Sequence, residues 1–173
     1  MLARAPIAIE RLAAHHQRAN FDCGELALND FLQRLARQQG GRASSRTYVA
    51  VDREENRIRG FYAISAASID FANLPAGLKL PRYPVPVARM GRLAVDLRDQ
   101  GAGVGAGLLT HAMKLAANLA GQIGLYALMV DAKHEAAAAY YQRYGFARFA
   151  NVELSLFLTT DVIRKGLVTL AAS

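Results

Sequence analysis

The stretch Gly91–Gly107, "GRLAVDLRDQGAGVGAG", carries the strongest fold signal in this chain. A strand-like run of apolar residues leads into glycines spaced two residues apart, at Gly101, Gly103, Gly105 and Gly107. From Val104 onward the apolar residues recur at steps of three and four, which predicts a helix with one buried face. Glycines are unexpected at the start of a helix, because glycine loses more conformational entropy on folding than any other residue.

A phosphate-binding role explains these glycines. The start of a helix presents N–H groups that lack intrahelical acceptors, together with the positive end of the helix dipole. Phosphate binds there when the backbone can approach closely, and glycines remove the side chains that would block this approach. The alternative is a strand-to-helix turn that needs positive φ angles, although one glycine would be enough for such a turn.

Three kinds of phosphate loop follow a strand and open a helix. A P-loop is excluded because no Gly-Lys-Ser/Thr ending is present. A dinucleotide-binding turn fits Gly101, Gly103 and Ala106, with Asp131 as the acid that would bind a ribose. Against that interpretation, the motif lies late in the chain, and the strand ends at Asp96, several residues before the first glycine. The third kind is the acetyl-CoA loop.

Length and composition predict one globular domain over residues 1–173. Hydrophobic residues make up 53% of the 173 residues and charged residues 20%. The apolar runs are too short to span a membrane, and the N-terminus lacks the apolar core and cleavage site of a signal peptide. The single cysteine, Cys23, excludes an intrachain disulfide. We therefore expect a cytoplasmic protein.

The charge favours an anionic partner such as a nucleic acid or a phosphorylated cofactor. The formal net charge is +7, and the sequence pI is about 9.9. Residues 34–46 contain no acidic residue and four arginines, Arg34, Arg37, Arg42 and Arg46. A guanidinium donates two hydrogen bonds at once to a phosphate. The alternative interpretation is a solvated basic surface.

The remaining pattern predicts an α+β chain. An apolar face formed by Leu26, Leu28, Phe31, Leu32 and Leu35 predicts a helix over 21–42, with Asp22 or Cys23 near its start. An irregular segment is predicted over 71–86, which holds four prolines, and the tail 159–173 is expected to be helical or mobile. Alternation of Val152, Leu154, Leu156 and Leu158 on one face predicts the final strand. The predicted strands cover 46–52, 57–70, 87–96, 125–131 and 151–158, and the further helices cover 104–121 and 134–144, the latter capped by Gly145.

Two motifs resemble those of the GNAT acetyltransferases. "LAVDLRDQGAGVGAGLL" resembles the cofactor motif Q/R-x-x-G-x-G/A, with Gln100, Gly103 and Gly105 in the pattern positions. "AAAAYYQRYGF" resembles the helix that closes the GNAT site, A-x-x-[hydrophobic]-Y-x-x-x-G-F, with Tyr141 four residues before Gly145. The order and separation of the two motifs are more specific than either alone. The resemblance implies the GNAT fold, an α/β/α-layered arrangement in which helices flank a mixed, mostly antiparallel sheet.

Four longer stretches resemble the GNAT toxins of bacterial toxin–antitoxin modules, and the whole resemblance covers roughly residues 7–160. They are "FDCGELALNDFL", "YAISAASIDFANLP", "LPRYPVPVARMGRLAVD" and "DAKHEAAAAYYQRYGF". The resemblance implies transfer of acetyl from acetyl-CoA to the amino group of aminoacyl-tRNA, with CoA as product and translation blocked. It also implies a homodimer and a ribbon-helix-helix antitoxin, with DNA contacted only through the antitoxin complex. The alternatives are a GNAT enzyme that acts on a protein N-terminus or a small amine, and a non-catalytic nucleic-acid-binding module.

The resemblance also assigns site residues. Tyr141 would protonate the departing thiolate, because a tyrosine with a pKa of about 10 stays protonated where a thiol of about 8.5 ionises. The backbone at the end of the strand would contact the pantetheine arm through Leu93, Ala94 and Val95. The loop and the helix start would hold the pyrophosphate through Gln100, Gly101, Gly103, Val104, Gly105 and Ala106.

Other polar residues allow two interpretations each. Arg89 and Arg92 flank the strand and would either bind the tRNA acceptor end or form structural ion pairs. Arg98 beside the loop would either add positive charge or be an exposed surface residue. His134 would contact cofactor or substrate, or would be a solvated residue of the first helical turn. No metal site is expected, since no pair of histidines has ligand spacing on a helix and no carboxylate cluster joins them. Cys23 is expected to be buried, and Tyr140 and Tyr144 to serve in packing.

Overall fold

The computed structural model describes residues 7–42, 44–77 and 84–172. Within these residues, seven strands form one mixed sheet in the order β1-β2-β3-β4-β5-β7-β6, flanked by helices. The strands are β1 (Ala8–Arg11), β2 (Arg46–Asp52), β3 (Arg57–Ile69), β4 (Val85–Val95), β5 (Ala127–Asp131), β6 (Ala147–Arg148) and β7 (Ser155–Thr159). β4 and β5 pair in parallel, whereas β1–β2, β2–β3, β5–β7 and β6–β7 pair antiparallel. The predicted α+β class is confirmed.

Helices precede and follow these strands. They are α1 (Leu26–Asp30), α2 (Ala36–Gly41), α3 (Val104–Ala120), α4 (Glu135–Arg143) and α5 (Thr160–Ala172). A π-helical turn, Phe31–Leu35, joins α1 to α2, and two short 3₁₀ turns cover Phe71–Asn73 and Leu97–Asp99. In the described part of the chain, no helix has the length and apolar character needed to cross a bilayer.

The chain divides into two compact units. The first lies within Met1–Ile64 and Arg92–His111, and the second within Ser65–Gly91 and Ala112–Ser173. In the first unit, α1, the π-helical turn and α2 pack Leu28, Phe31 and Leu32 against a buried cluster that includes Val49 of β2 and Phe61 of β3. Neighbouring residues of a strand point to opposite faces. The neighbours of Phe61 therefore lie on the other side of β3, which α3 covers.

The second unit has its own apolar cluster. It joins residues of four strands, β3, β4, β5 and β7, to residues outside the strands, namely Ile69, Leu74, Val85, Val87, Ala127, Phe149 and Phe157. β5 is the short, apolar strand expected from the sequence. It pairs with β4 through Val87↔Ala127 and with β7 through Ala127↔Thr159. Pairing on both sides satisfies its backbone hydrogen bonds, as an interior strand requires.

The helix predicted over 21–42 is shorter and interrupted. It begins at Leu26 because residues 22–24 form a turn in which the Asp22 carboxylate accepts from the Gly24 N–H at 2.8 Å. The π-helical turn has a longer hydrogen-bond repeat than the α-helix, so the apolar face rotates. Leu28, Phe31 and Leu32 are buried, but Leu26 is 83% exposed and Leu35 is 43% exposed.

Prediction of the sheet was incomplete at its ends. β1 and β6 were missed, and Pro86, which was assigned to an irregular segment, lies in β4. The last strand begins at Ser155 rather than at residue 151, because Leu154 adopts a positive φ of 59°. Ser155, Leu156, Phe157 and Leu158 are all buried, so β7 shows no alternation of buried and exposed residues. Of the 71–86 segment, residues 78–83 lie outside the described residues.

The start of α3 packs closely on β3 at Gly60. A Cβ atom at Gly60 would lie 2.9 Å from the Ala94 carbonyl oxygen, 2.9 Å from Leu108 Cδ1 and 3.0 Å from Val104 Cγ1. Real Cβ atoms are not found this close to backbone atoms. Gly60 therefore lets the first turns of α3 approach the strand, a role that no sequence motif indicated.

We expect Gly60→Ala to lower the free energy of unfolding by about 1–3 kcal/mol, because the added methyl overpacks a site bounded by backbone. Urea unfolding followed by circular dichroism measures the change. Gly91→Ala is the matched control, since a Cβ at Gly91 of β4 meets no atom within 4 Å. Equal stability of the two variants would contradict the close packing of α3 on β3.

Candidate active site

The turn between β4 and α3 has a defined backbone. Asp96 caps the 3₁₀ turn Leu97–Asp99 by accepting the Arg98 N–H at 3.0 Å. The Ala102 N–H then donates to the Asp99 carbonyl at 3.2 Å, and the Gly107 N–H donates to the Gly103 carbonyl at 3.0 Å. α3 begins at Val104, so its first N–H groups have no acceptor within the helix.

The glycines of this turn have different roles. Gly101 and Gly103 adopt φ angles of 77° and 86°, in the left-handed region that other residues rarely occupy. A Cβ at either position would meet no atom within 4 Å, so these two glycines serve backbone conformation and leave the loop surface open. Gly107 lies inside α3, where a Cβ would contact Ile7 at 3.3 Å. An open surface over unpaired N–H groups fits the pyrophosphate of acetyl-CoA.

The Gln100 side chain holds the loop through two backbone carbonyls. Its Nε2 atom donates to the Val95 carbonyl at 3.1 Å and to the Cys23 carbonyl at 3.3 Å. The end of β4 and the loop at residues 22–24 are thereby linked to the turn. Cys23 is buried, as expected from the sequence. Arg98 donates to the Asp96 carboxylate through Nε at 2.9 Å, so its charge is paired within the turn.

Both ends of α4, which carries Tyr141, are capped. At the start, His134 Nδ1 accepts the Ala137 N–H at 3.1 Å, which makes His134 the N-cap. At the end, Gly145 has a φ of 96° and donates to the Gln142 carbonyl at 3.0 Å, while the Phe146 N–H donates to the Tyr141 carbonyl at 3.3 Å. This is the Schellman arrangement, and it confirms Gly145 as the C-cap.

Tyr141 is buried among aromatic rings. It is 6% exposed and packs edge-on against Tyr140 and Phe146, with ring centroids 5.5 and 5.7 Å apart. Burial, aided by the negative charge of Asp131, raises the pKa of Tyr141 to about 12. The Tyr144 ring packs on Tyr140, four residues earlier, with ring centroids 5.2 Å apart. Tyr140 and Tyr144 have the packing role predicted for them.

Arg89 and Arg92, which both lie within β4, have partners. Arg89 donates to the Asp131 carboxylate through Nε at 2.6 Å, and the Ser155 hydroxyl donates to the same carboxylate at 3.0 Å. Asp131, the ribose ligand of the dinucleotide interpretation, is therefore an ion-pair partner. The Arg92 guanidinium lies 4.0 Å from the centroid of the Phe31 ring, within cation–π range.

Two adjacent histidines, His15 and His16, lie beside one carboxylate, a grouping that the sequence pattern did not indicate. His16 is buried, its Nδ1 accepts the Ala13 N–H at 2.9 Å, and its Nε2 lies 2.6 Å from the Glu10 carboxylate. Because Nδ1 accepts, Nε2 carries the proton and donates to Glu10. The hydrogen bond from His16 lowers the pKa of Glu10. His15 lies 3.9 Å from the same carboxylate, so a single glutamate, and not a cluster of carboxylates, joins the two histidines.

A sequence profile of the family described as "Acetyltransferase (GNAT) domain" matches residues 43–148. The matched segment contains the β4–α3 turn and α4 with Tyr141. This chain belongs to the GNAT acetyltransferase family. The acetyltransferases of this family take the acetyl group from acetyl-CoA. The open surface of the turn before α3 fits this cofactor.

Curated relatives extend the similarity beyond the family. A protein of Mycobacterium tuberculosis (strain ATCC 25618 / H37Rv) named "tRNA-acetylating toxin" is 36% identical over 129 residues, which cover 73% of this chain and 76% of the relative. A "Probable toxin TacT" of Sinorhizobium fredii (strain NBRC 101917 / NGR234) is 31% identical over 159 residues, covering 86% of this chain and 88% of the relative.

Solved structures of similar proteins include complexes. AtaT complexed with acetyl-methionyl-tRNAfMet has a TM-score of 0.88 at 31% identity and covers 94% of this chain and 99% of that one. An AtaT toxin with one tyrosine-to-phenylalanine substitution, bound to the C-terminus of the antitoxin AtaR and to acetyl-CoA, has a TM-score of 0.81 at 29% identity, with 93% and 98% covered. A KacTA–DNA complex has a TM-score of 0.83 at 30% identity, with 95% and 99% covered.

We expect Gly103→Ala to weaken acetyl-CoA binding, because an alanine with a φ of 86° is strained by about 1–2 kcal/mol and relaxes the loop away from the helix start. The dissociation constant for acetyl-CoA, measured by calorimetry, should rise several-fold. Gly124→Ala is the control, since a Cβ there meets no atom within 4 Å and the residue has no positive φ. Unchanged affinity in Gly103→Ala would argue against this loop as the cofactor site.

The raised pKa of Tyr141 predicts that its phenol stays protonated to high pH. Alkaline titration at 295 nm of the wild type minus Tyr141→Phe should show no phenolate from this residue below about pH 11, since an ordinary tyrosine ionises near pH 10. The associated stability is fully present below about pH 10 and is lost as pH rises through the folded pKa. Phenolate absorbance from this residue near pH 10 would contradict the burial of this side chain.

Proposed function

We propose that this chain is a toxin that transfers the acetyl group of acetyl-CoA to the amino group of an aminoacyl-tRNA and so blocks translation. One observation carries the proposal: AtaT complexed with acetyl-methionyl-tRNAfMet matches 94% of this chain with a TM-score of 0.88. The relative named "tRNA-acetylating toxin", which is 36% identical, supports the same acceptor class.

The basic surface supports a nucleic-acid acceptor. The net charge is +7, and Arg37 and Arg42 are exposed on and after α2. Arg34 makes only a long contact of 3.7 Å to the exposed Asp30, which solvent screens. Arg46 instead donates to the Gly40 carbonyl at 2.9 Å and helps to end α2. Three of the four arginines predicted to contact phosphate therefore project positive charge into solvent, as electrostatic attraction of tRNA requires.

The cofactor would be held by backbone groups. When bound, acetyl-CoA supplies the acetyl group as an activated thioester. The N–H groups of Val104, Gly105 and Ala106 would bind the pyrophosphate, and Gly101 and Gly103 keep the approach open. The backbone of Leu93, Ala94 and Val95 at the end of β4 would hold the pantetheine arm, while the side chain of Gln100 ties the loop to that strand end.

Tyr141 would stabilise the departing thiolate of CoA. The transfer forms an amide N–C bond and breaks the thioester C–S bond, so one proton leaves the amine and one reaches the sulfur. Tyr141 is protonated throughout the working pH range, as a donor must be. Because its pKa of about 12 exceeds that of a thiol, about 8.5, we assign it hydrogen-bond donation to the developing thiolate more than complete proton transfer.

Arg89 and Arg92 are proposed to meet the acceptor end of the tRNA. Arg89 is half-exposed while paired to Asp131, and Arg92 is partly exposed beside Phe31. Their partners orient both guanidiniums, so a phosphate or ribose group would meet a pre-positioned donor. A structural ion pair is the competing explanation for Arg89, and Arg89→Lys separates the two, because lysine keeps the charge and loses the bidentate geometry.

The proposal includes partners. An antitoxin would neutralise the enzyme, supported by the AtaT structure with the C-terminus of AtaR, and DNA would be contacted only through that complex, supported by the KacTA–DNA structure. We further propose a ribbon-helix-helix antitoxin, a homodimeric toxin, action in the cytoplasm, where charged tRNA is found, and one catalytic domain over residues 1–173. The 94% coverage by the AtaT structure supports the single domain.

The deciding experiment incubates purified protein with labelled acetyl-CoA and a pool of charged tRNAs and measures label on tRNA. We expect labelling by the wild type and a loss of about 100-fold or more in Tyr141→Phe, the range typical of a removed hydrogen-bond donor to a developing negative charge. Tyr144→Phe is the matched control, since this tyrosine lies on the same helix end and packs on Tyr140. Its activity should stay within about threefold of the wild type.

Two outcomes would contradict the proposal. Label that appears on protein N-termini or small amines, and not on tRNA, would show that the protein is an acetyltransferase with a different acceptor. Equal labelling of tRNA by the wild type and by Tyr141→Phe would support tRNA as the acceptor and contradict the role assigned to Tyr141.

A further inference from the structure

We propose that Asp99 is a positioning residue for the cofactor loop: with Arg57 and Arg59 of β3, it fixes the turn that presents the start of α3 to acetyl-CoA. These three side chains are called the Asp99 cluster. The proposal rests on acetyl-CoA as the cofactor and is independent of the acceptor.

The Asp99 carboxylate is bound by both arginines. Arg57 donates to it at 2.7 Å and 3.3 Å through its two terminal nitrogens, and Arg59 donates through Nε at 3.0 Å. Asp99 is 7% exposed, so its charge needs such partners. Burial disfavours the carboxylate form, but the hydrogen bonds from Arg57 and Arg59 outweigh burial and lower the pKa of Asp99.

A bulge in β3 brings Arg59 to this carboxylate. Gly60 pairs with Ala50 and Ile58 pairs with Val51, so Arg59 is the additional residue between the two pairs. A bulge redirects the side chain of the residue it adds, and bulges recur beside active sites. The Arg59 carbonyl also accepts the Asp96 N–H at 2.9 Å, which joins the bulge to the start of the turn.

Asp99 transmits this anchoring to the glycines. Its N–H donates to the Asp96 carbonyl at 2.8 Å, and its carbonyl accepts the Ala102 N–H at 3.2 Å. Gly101 and Gly103, which have positive φ angles, follow within four residues. Glycines in such a loop leave it many conformations, and a side-chain anchor before them selects one.

The Asp99 cluster also bears on whether Arg57 and Arg59 bind phosphate directly. Arg57 uses both terminal nitrogens on Asp99, and Arg59 uses its Nε. If the arginines instead acted as direct phosphate ligands, Asp99 would oppose cofactor binding by drawing them away. The two explanations therefore predict opposite effects of removing the carboxylate.

Calorimetry with acetyl-CoA alone tests the proposal. We expect Asp99→Ala and Arg59→Ala each to raise the dissociation constant about tenfold. The double variant should bind about as weakly as either single variant, because both substitutions break one anchor. Asp30→Ala is the control, since it removes an exposed carboxylate of the same unit whose arginine partner lies 3.7 Å away. Its affinity should equal that of the wild type.

Hydrogen exchange without cofactor supplies a readout that does not depend on activity. The hydrogen-bonded amides of Ala102 and Gly107 should exchange faster in Asp99→Asn, which removes the charge but keeps one acceptor oxygen. In the transfer assay, KM for acetyl-CoA should rise while kcat stays within about twofold of the wild type. Unchanged or tighter binding in Asp99→Ala, additive effects in the double variant, or unchanged exchange in Asp99→Asn would each overturn the proposal.

Failure of this proposal and failure of the proposed function give different results. If tRNA is not labelled but the wild type binds acetyl-CoA and the Asp99 variants bind it weakly, only the acceptor is wrong. If tRNA is labelled and the Asp99 variants bind acetyl-CoA like the wild type, only the positioning role is wrong. A wild-type protein that binds no acetyl-CoA would overturn both.

Discussion

Two buried carboxylates, Asp96 and Asp99, hold the turn between β4 and α3, and the cofactor loop depends on that turn. A buried charge is tolerated only when hydrogen bonds and opposite charges surround it. Asp96 accepts from the N–H groups of Asp22 and Arg98 and from the Arg98 guanidinium. Asp99 is held from β3. The glycines that follow, Gly101 and Gly103, adopt positive φ angles. The two carboxylates hold the backbone that leads into these glycines.

Tyr141 depends on a different set of constraints. His134 and Gly145 cap the two ends of α4, so the backbone that carries Tyr141 is held at both termini. Burial among aromatic rings and the nearby charge of Asp131 keep the phenol neutral. A neutral donor beside a developing thiolate is the electrostatic situation that favours its departure. We therefore assign binding of the cofactor and activation of the leaving group to different structural elements.

Local features of the site were predictable from the sequence, and long-range features were not. Positive φ at Gly101 and Gly103, the start of α3 and the Gly145 cap follow from residue type and period, which act over a few neighbours. The bulge at Arg59, the close approach at Gly60 and the pairing of Arg89 with Asp131 depend on residues far apart in the chain. The π-helical turn also rotates the apolar face of residues 26–35 away from the position predicted from the period of a regular α-helix.

Acetyl-CoA binding by calorimetry in the wild type and in Tyr141→Phe, with acetyl transfer measured in the same preparations, tests this assignment most directly. We predict dissociation constants within about threefold of each other, because the proposed binding groups lie in the β4–α3 turn, and transfer that is lost only in the variant. Binding that weakens in proportion to the loss of transfer would contradict the separation of cofactor binding from leaving-group activation.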